Sequence, residues 1–316
     1  LSVLSAIAVG SIGYAIVFGQ FLPDTSTEYF PPNAHIGPIS WVLVLAGLLF
    51  GLGMALSGAC ISGHLYRIGQ GSLRAVPAIL GSLIGFGLGF ASWNKLYLSA
   101  ISQAPKTWLP HTFGYAGSLV ITLVALLILA IFARRWRRTS EPITSAPSDG
   151  LRDALLIKRW PPLISGAIVG VIGTVAYLRI EPLGVTRQLS TSARTMLTEN
   201  GYLPETLDGL DVMKGCVAVI SSAITNNGWL ILGVVFASLA AALAGDRFSW
   251  QKITVKNSAT ALFGGILLGW SSMVALGCTV GVLLSGTQAF ALSGWIFFAT
   301  VFLGAYLGIK LKLHKI

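Results

Sequence analysis

Residues 257–309 contain no Asp, Glu, Lys, Arg or His. A helix that crosses the hydrocarbon core of a bilayer needs about 20 apolar residues. This run is therefore long enough for two crossings with a break between them. The rest of the chain conforms: only 10% of the 316 residues are charged and 54% are hydrophobic, whereas a soluble domain carries about 25% charged residues. The expectation is an all-α, polytopic integral membrane protein with about eight to nine transmembrane helices and short re-entrant half-helices.

The remaining spans are predicted at residues 2–21, 39–56, 75–93, 115–133, 162–178 and 229–244. The first lacks a basic leader and a small-residue cleavage site, so it reads as a span and not as a signal peptide. The net charge of +10 is distributed in short stretches between apolar runs, as the positive-inside rule expects. Nucleic acid is thus not an expected partner; a lipid bilayer is. His64, Arg67 and Arg74, the run Arg134-Arg135-Trp136-Arg137-Arg138, and Lys310, Lys312 and Lys315 place those segments, and both termini, on the cytoplasmic side. The basic run and the Ser/Pro-rich stretch after it divide the chain into an N-terminal membrane half (1–138), a basic cytoplasmic linker (139–161) and a C-terminal membrane half (162–316).

Two stretches repeat one another. At one constant offset, Gly51, Cys60, Gly63, Leu65 and Gln70 fall on Gly269, Cys278, Gly281, Leu283 and Gln288. One residue of slippage later, Gly85-x-x-x-Gly89 falls on Gly304-x-x-x-Gly308. On the predicted topology the two stretches enter the membrane from opposite faces, giving a pseudo-symmetric inverted repeat. A shorter likeness, Val9-Gly10-x-Ile12-Gly13 to Val169-Gly170-x-Ile172-Gly173, pairs spans of the same direction. A further polar pair, Asn226-Asn227, is expected to separate a half-length helix carrying Cys216 from the span that follows it.

Non-helical backbone at membrane depth survives only where it is buried in protein or lines a polar cavity. Gly58 and Gly277, just ahead of Cys60 and Cys278, and Gly63 and Gly281, just after them, mark two such breaks. A half-helix starting after each cysteine would turn its N-terminal N–H groups toward the bilayer middle and favour an anion. No Lys or Arg lies inside a predicted span, so a dianion would be held by backbone dipoles, hydroxyls and thiols. A thiol is a weak donor and a polarizable acceptor, suited to a soft, sulfur-terminated anion. Gln70 and Gln288 are candidates to cap freed backbone groups at the breaks, and Arg67 to attract the anion at the exit. Gly-x-x-x-Gly is also a plain helix-packing signal.

Two other classes stay open on these residues: a membrane thiol-disulfide oxidoreductase, which needs closely paired cysteines, and a passive channel for a small neutral solute. The three cysteines form no C-x-x-C, no phosphate-binding loop is present, and the four histidines are dispersed. No metal, cofactor or enzymatic role is expected.

Residues 57–71, Ser-Gly-Ala-Cys-Ile-Ser-Gly-His-Leu-Tyr-Arg-Ile-Gly-Gln-Gly, with Leu276-Gly277-Cys278-Thr279-Val280-Gly281, resemble the YeeE/YedE family of bacterial inner-membrane sulfur transporters. The resemblance implies an hourglass-shaped, pseudo-symmetric importer of thiosulfate or a related soft sulfur anion. It further implies cysteines that pass the ion along a narrow central path by S–H···S hydrogen bonds, without covalent chemistry. By motif, Cys60 and Cys278 are the relay thiols, and Cys216 in Lys214-Gly215-Cys216 supplies a third. The resemblance also suggests a cytosolic sulfurtransferase or sulfur-carrier partner. Family members carry a cysteine near the N-terminus, which the first span here lacks.

Overall fold

The computed structural model describes residues 1–26, 30–31, 34–136, 160–210, 213, 218–251 and 253–313. Among these residues ten α-helices follow in order: α1 (Ser2–Phe21), α2 (Trp41–Ser57), α3 (Ile61–Gly69), α4 (Ala75–Leu96), α5 (Pro110–Trp136), α6 (Pro162–Arg179), α7 (Thr186–Glu199), α8 (Asn226–Ala244), α9 (Val255–Val274) and α10 (Leu292–Lys310). A π-helical turn, Tyr97–Ile101, extends α4, and a π-helix, Thr279–Gly286, lies between α9 and α10. Among the described residues, seven spans are long and apolar enough to cross a membrane, and eight if α9 and the π-helix, bent by 43°, count as one more. The first expected span, 2–21, coincides with α1, and the last two embrace a break, as the uncharged run predicts. The linker between residues 137 and 159, and Cys216, lie outside the described residues.

Outward faces are apolar, as lipid requires. On α5, Val120, Val124, Leu127, Ile128 and Ile131 are exposed; on α6, Leu163, Ile164, Ile168 and Val171 are. Inward faces are built from small residues, which let backbones touch where helix association has no hydrophobic drive of its own. The contacts come in matched sets. A Cβ at Gly51 would fall 2.3 Å from the Val301 carbonyl oxygen, and one at Gly304 2.2 Å from that of Leu48, so α2 and α10 cross backbone to backbone. At the repeated positions, a Cβ at Gly269 would lie 2.0 Å from the Ser82 oxygen and one at Gly85 2.2 Å from that of Ile266, so α9 and α4 cross likewise. Each cysteine-preceding helix thus packs on the span that follows the other cysteine break. The shorter likeness has a different explanation: α1 and α6 pack together through it, Gly170 against Ala6 and Gly10, Gly13 against Thr174.

One expectation is overturned. Residues 218–225 are not helical, with a bend at Ser222 and Ala223, and Asn226-Asn227 opens α8 instead of splitting a helix. The reason lies in α7, whose polar stripe supplies the partners that a helical ladder would otherwise give. The Val219 and Ser221 amides donate to the hydroxyls of Thr191 and Thr195, at 3.3 and 3.0 Å, and the Thr225 amide donates to Gln188 Oε1 at 2.7 Å. The buried Arg194 donates to the carbonyls of Ala218 and Glu205, at 2.7 and 3.0 Å. Positions 188, 191 and 195 share one helix face. α8 then starts with its own cap, Thr225 Oγ1 accepting from the Gly228 amide.

A second, aromatic core closes the far end of the π-helix. Tyr14, Phe18, Tyr177, Phe290 and Trp108 cluster there with Ala34 and Ile36, with Tyr14 edge-on to Tyr177 at 5.4 Å and to Phe290 at 5.7 Å. Trp108 Nε1 donates to the Ala289 carbonyl at 2.7 Å. His35, in the loop against Gly286, is held neutral: burial pushes its pKa from the usual 6.5 down to about 4.

Candidate functional site

Helix α2 ends at Gly58, which is left-handed (φ +90°) with its amide bonded to the Met54 carbonyl. Glycine takes this conformation without the steric cost a side chain would carry. Two residues later Cys60, in the extended region, caps α3, and its sulfur accepts the Gly63 amide at 3.4 Å. The second break repeats this geometry. Leu276, aligned with Gly58, is left-handed (φ +62°), and the Gly277 amide bonds back to the Ser272 carbonyl at 2.7 Å. Cys278 is again extended and caps the π-helix, its sulfur accepting the Val280 amide at 3.4 Å. Both helices start directly after a cysteine, as the breaks predict. The left-handed residue of the second break is a leucine, with Gly277 following at φ +156°. No side-chain cap of the usual oxygen type is present at either site; sulfur takes its place.

The flanking glycines serve the sulfurs. A Cβ at Gly63 would sit 2.9 Å from the Ala59 Cβ and 3.5 Å from the Cys60 sulfur, crowding the amide that bonds to it. Gly281 likewise turns its backbone to Cys278. The two thiols are free and lie within electrostatic reach of each other across the breaks. Cys278 is buried and Cys60 partly exposed.

Their surroundings differ. The Cys60 sulfur is 3.1 Å from the Ser62 hydroxyl. Arg67 Nη1 donates to the Gly58 carbonyl at 3.0 Å and Arg74 Nη2 to the Leu56 carbonyl at 2.8 Å. Both guanidiniums thereby satisfy the orphan carbonyls at the end of α2, where the helix dipole favours cations. Burial, and then the neighbouring Arg67, push the Arg74 pKa down. Thr186, first residue of α7, brings its buried hydroxyl beside the Cys278 sulfur without completing a well-aligned bond. The Tyr177 hydroxyl donates to the Ser285 carbonyl at 2.8 Å, and Ser285 Oγ to the Leu183 carbonyl at 2.9 Å.

The two repeated glutamines part company. Gln288 is buried between α1 and α6, where a Cβ at Gly10 would meet its side chain, and its Nε2 donates to the Ala6 carbonyl at 3.2 Å. Its partner is therefore helix α1, not freed backbone at a break. Gln70 is exposed at the end of α3. The sequence marks Arg74 only as a topology charge and does not single out Thr186. Arg74 carries a readable signal, since it follows Arg67 by two helical turns beyond a helix of only nine residues; Thr186 carries none, because only the fold brings α7 to Cys278. No group of His, Cys, Asp or Glu among the described residues could hold a metal.

Apolar spans, broken where capped thiols sit, define a polytopic helical membrane protein with two sulfur-capped helix starts. The model of a family described as "Sulphur transport" matches residues 1–307, and the chain belongs to that family. It is 24% identical over 315 residues to a protein of Escherichia coli named thiosulfate transporter TsuA, covering 96% of this chain and 82% of that one. It is 27% identical over 269 residues to the thiosulfate transporter TsuA of Spirochaeta thermophila, covering 80% and 72%. A probable transporter of Escherichia coli, YedE, matches 46% of the chain at 28% identity.

Proposed function

We propose that the protein imports thiosulfate, or a closely related soft sulfur dianion, across a bacterial inner membrane, by a relay of S–H···S hydrogen bonds to Cys60 and Cys278. The observation that carries this reading is the pair of capped sulfurs. Each sulfur already accepts a backbone amide at 3.4 Å, so its lone pairs are partly engaged; the Cys60 sulfur also pairs with the Ser62 hydroxyl at 3.1 Å, where either group can donate. A thiol presented as donor at a helix start, where backbone amides also point, suits an anion whose terminal atom is sulfur. Binding through weak donors is shallow at each step, which lets the ion leave as readily as it enters.

The matched crossings of α2 on α10 and α9 on α4 support an inverted repeat, in which the two thiols are presented from opposite faces. The basic residues Arg67, Arg74, Arg134, Arg135 and Lys310 support a cytoplasmic side shared by both termini. Cys216 is the third thiol of the relay by motif alone, and a cytosolic sulfurtransferase or sulfur-carrier is the natural recipient of the ion. The relay forms no covalent bond, so the protein acts as a transporter and not as an enzyme.

The test is uptake of labelled thiosulfate by proteoliposomes containing only this protein. Cys60→Ala and Cys278→Ala are each expected to lose uptake by roughly tenfold or more, the value of one charge-assisted contact of about 1.4 kcal/mol, while remaining folded. Parental rates in both variants would sink the relay. Flux of a small neutral solute untouched by either substitution would favour a channel, and a Cys60–Cys278 disulfide found by non-reducing mass mapping would favour an oxidoreductase.

A further inference from the structure

Beside Cys60 stands a group of donors that the relay does not use. Arg67 Nη1 and Arg74 Nη1 lie 3.6 and 3.8 Å from the point where a Cβ would sit on Gly58. Two positive charges are therefore held side by side over one exposed glycine. Each spends a donor on a carbonyl of the α2 terminus, and neither forms an ion pair among the described residues, where Arg187–Glu181 does. Each guanidinium has five N–H donors, so most remain uncommitted, and Arg74 Nε is buried without a partner. His64 adds a second, independent sign. Its side chain is 1% exposed, it has Arg67 and Arg74 as charged neighbours and the Ala59 backbone alongside, and neither ring nitrogen completes a hydrogen bond. A buried ring with two unsatisfied nitrogens is costly, as are two like charges with no counter-ion. An oxyanion would take the one N–H of the ring and neutralise the two charges.

We propose that Arg67, Arg74 and His64 form an oxyanion-binding mouth beside Cys60, which takes the oxygens of a divalent sulfur oxyanion while the thiol faces its terminal sulfur. This rests on the transport reading for its physiological ligand but not for its chemistry. The forked guanidiniums match a trigonal face of sulfonate-like oxygens, and the neutral imidazole offers one N–H donor. Such a mouth does not distinguish sulfate from thiosulfate, because both present the same oxygens. Discrimination falls to Cys60 and Cys278, which only a terminal sulfur satisfies. The exposure of Gly58 and partial exposure of Cys60 make the site reachable from water on the basic side of the protein.

The probe is inorganic sulfate, and the readout is the alkylation rate of Cys60 in the purified full-length chain, resolved from the other cysteines by peptide mass mapping. Sulfate is expected to slow alkylation of Cys60 at low ionic strength, and chloride at matched ionic strength is not. The double variant Arg67→Gln/Arg74→Gln should need roughly tenfold or more sulfate for the same protection, as expected for losing charge-assisted hydrogen bonds of about 1.4 kcal/mol or more. Since both arginines also cap α2, the conservative Arg74→Lys and the uncharged His64→Leu are run alongside; both keep the fold's charge pattern near α2 yet should weaken protection severalfold. Absence of protection in the parent, or equal protection in Arg74→Lys, His64→Leu and the double variant, overturns the mouth. Thiosulfate uptake is measured on the same preparations. Protection by sulfate without any thiosulfate uptake keeps the mouth and sinks the transport reading; uptake without protection does the reverse.

Discussion

The Cys60 and Cys278 breaks share one backbone design and have opposite surroundings. In both, a left-handed residue two places before the cysteine stops a helix, and the sulfur caps the next helix by accepting its amide. At Cys60 the stop is a glycine exposed to water, crossed by two arginines, and the helix that follows is an ordinary α-helix. At Cys278 the stop is a buried leucine, the following helix is wound as a π-helix, and its far end is closed by an aromatic cluster. Repetition fixed the position of the thiol, while divergence around it set how wet and how charged each thiol is. A left-handed leucine costs roughly 1–2 kcal/mol, and at Leu276 burial of the side chain offsets that cost. Gly58 has no such burial to draw on.

The comparison is most severely tested at the helix crossings beneath the breaks. Gly51→Ala and Gly269→Ala occupy equivalent positions and would each press a methyl group into a carbonyl of the facing helix. Because rigid backbone stands on both sides, each is expected to cost about 3 kcal/mol or more, the upper end of overpacking penalties, and to lower the yield of folded protein alike. Thermal unfolding of the purified variants checks this; a large loss in only one would show that the two crossings are not energetic equivalents.

A smaller effect separates the thiols themselves. Cys60 is partly exposed and Cys278 buried, so a water-soluble alkylating reagent should modify Cys60 faster by roughly ten- to a hundredfold, as access governs thiol chemistry. Equal rates would erase the contrast between a wet and a dry break. The smallest effect concerns the left-handed stop. Gly58→Ala is expected to lose roughly 1–2 kcal/mol, chiefly from conformation, since a Cβ there meets only guanidinium atoms at 3.6 Å or beyond. Gly58→Asn should lose less, because asparagine tolerates that region. A larger loss for asparagine than for alanine, read by the same unfolding assay, would mean that contact with Arg67 and Arg74 and not backbone geometry controls this position.

Much of this was legible in the residues. Apolar run lengths place α1, α2, α4, α5, α6, α8, α9 and α10, because a crossing helix must satisfy its own backbone and needs a fixed length to do so. The glycine-bracketed cysteines announce two helix starts for the same reason: a ladder that stops in an apolar run needs something to cap it. What the residues left unreadable were the meetings of distant segments. The non-helical course of residues 218–225 depends on hydroxyls and an amide of α7, and no local pattern reports them.

Composition and spacing by themselves therefore determined that this chain crosses a membrane many times and breaks two crossings at a thiol. Only the tertiary structure decided which charges attend those thiols. Arg67 reads as a candidate exit charge and Arg74 as an ordinary basic loop residue; only α3, nine residues long, brings both side chains back over the end of α2. The burial of Gln288 between α1 and α6, against the exposure of Gln70, was settled in the same way. Hydrophobic length is a property of one segment, whereas electrostatic surroundings belong to whichever segments the packing brings together.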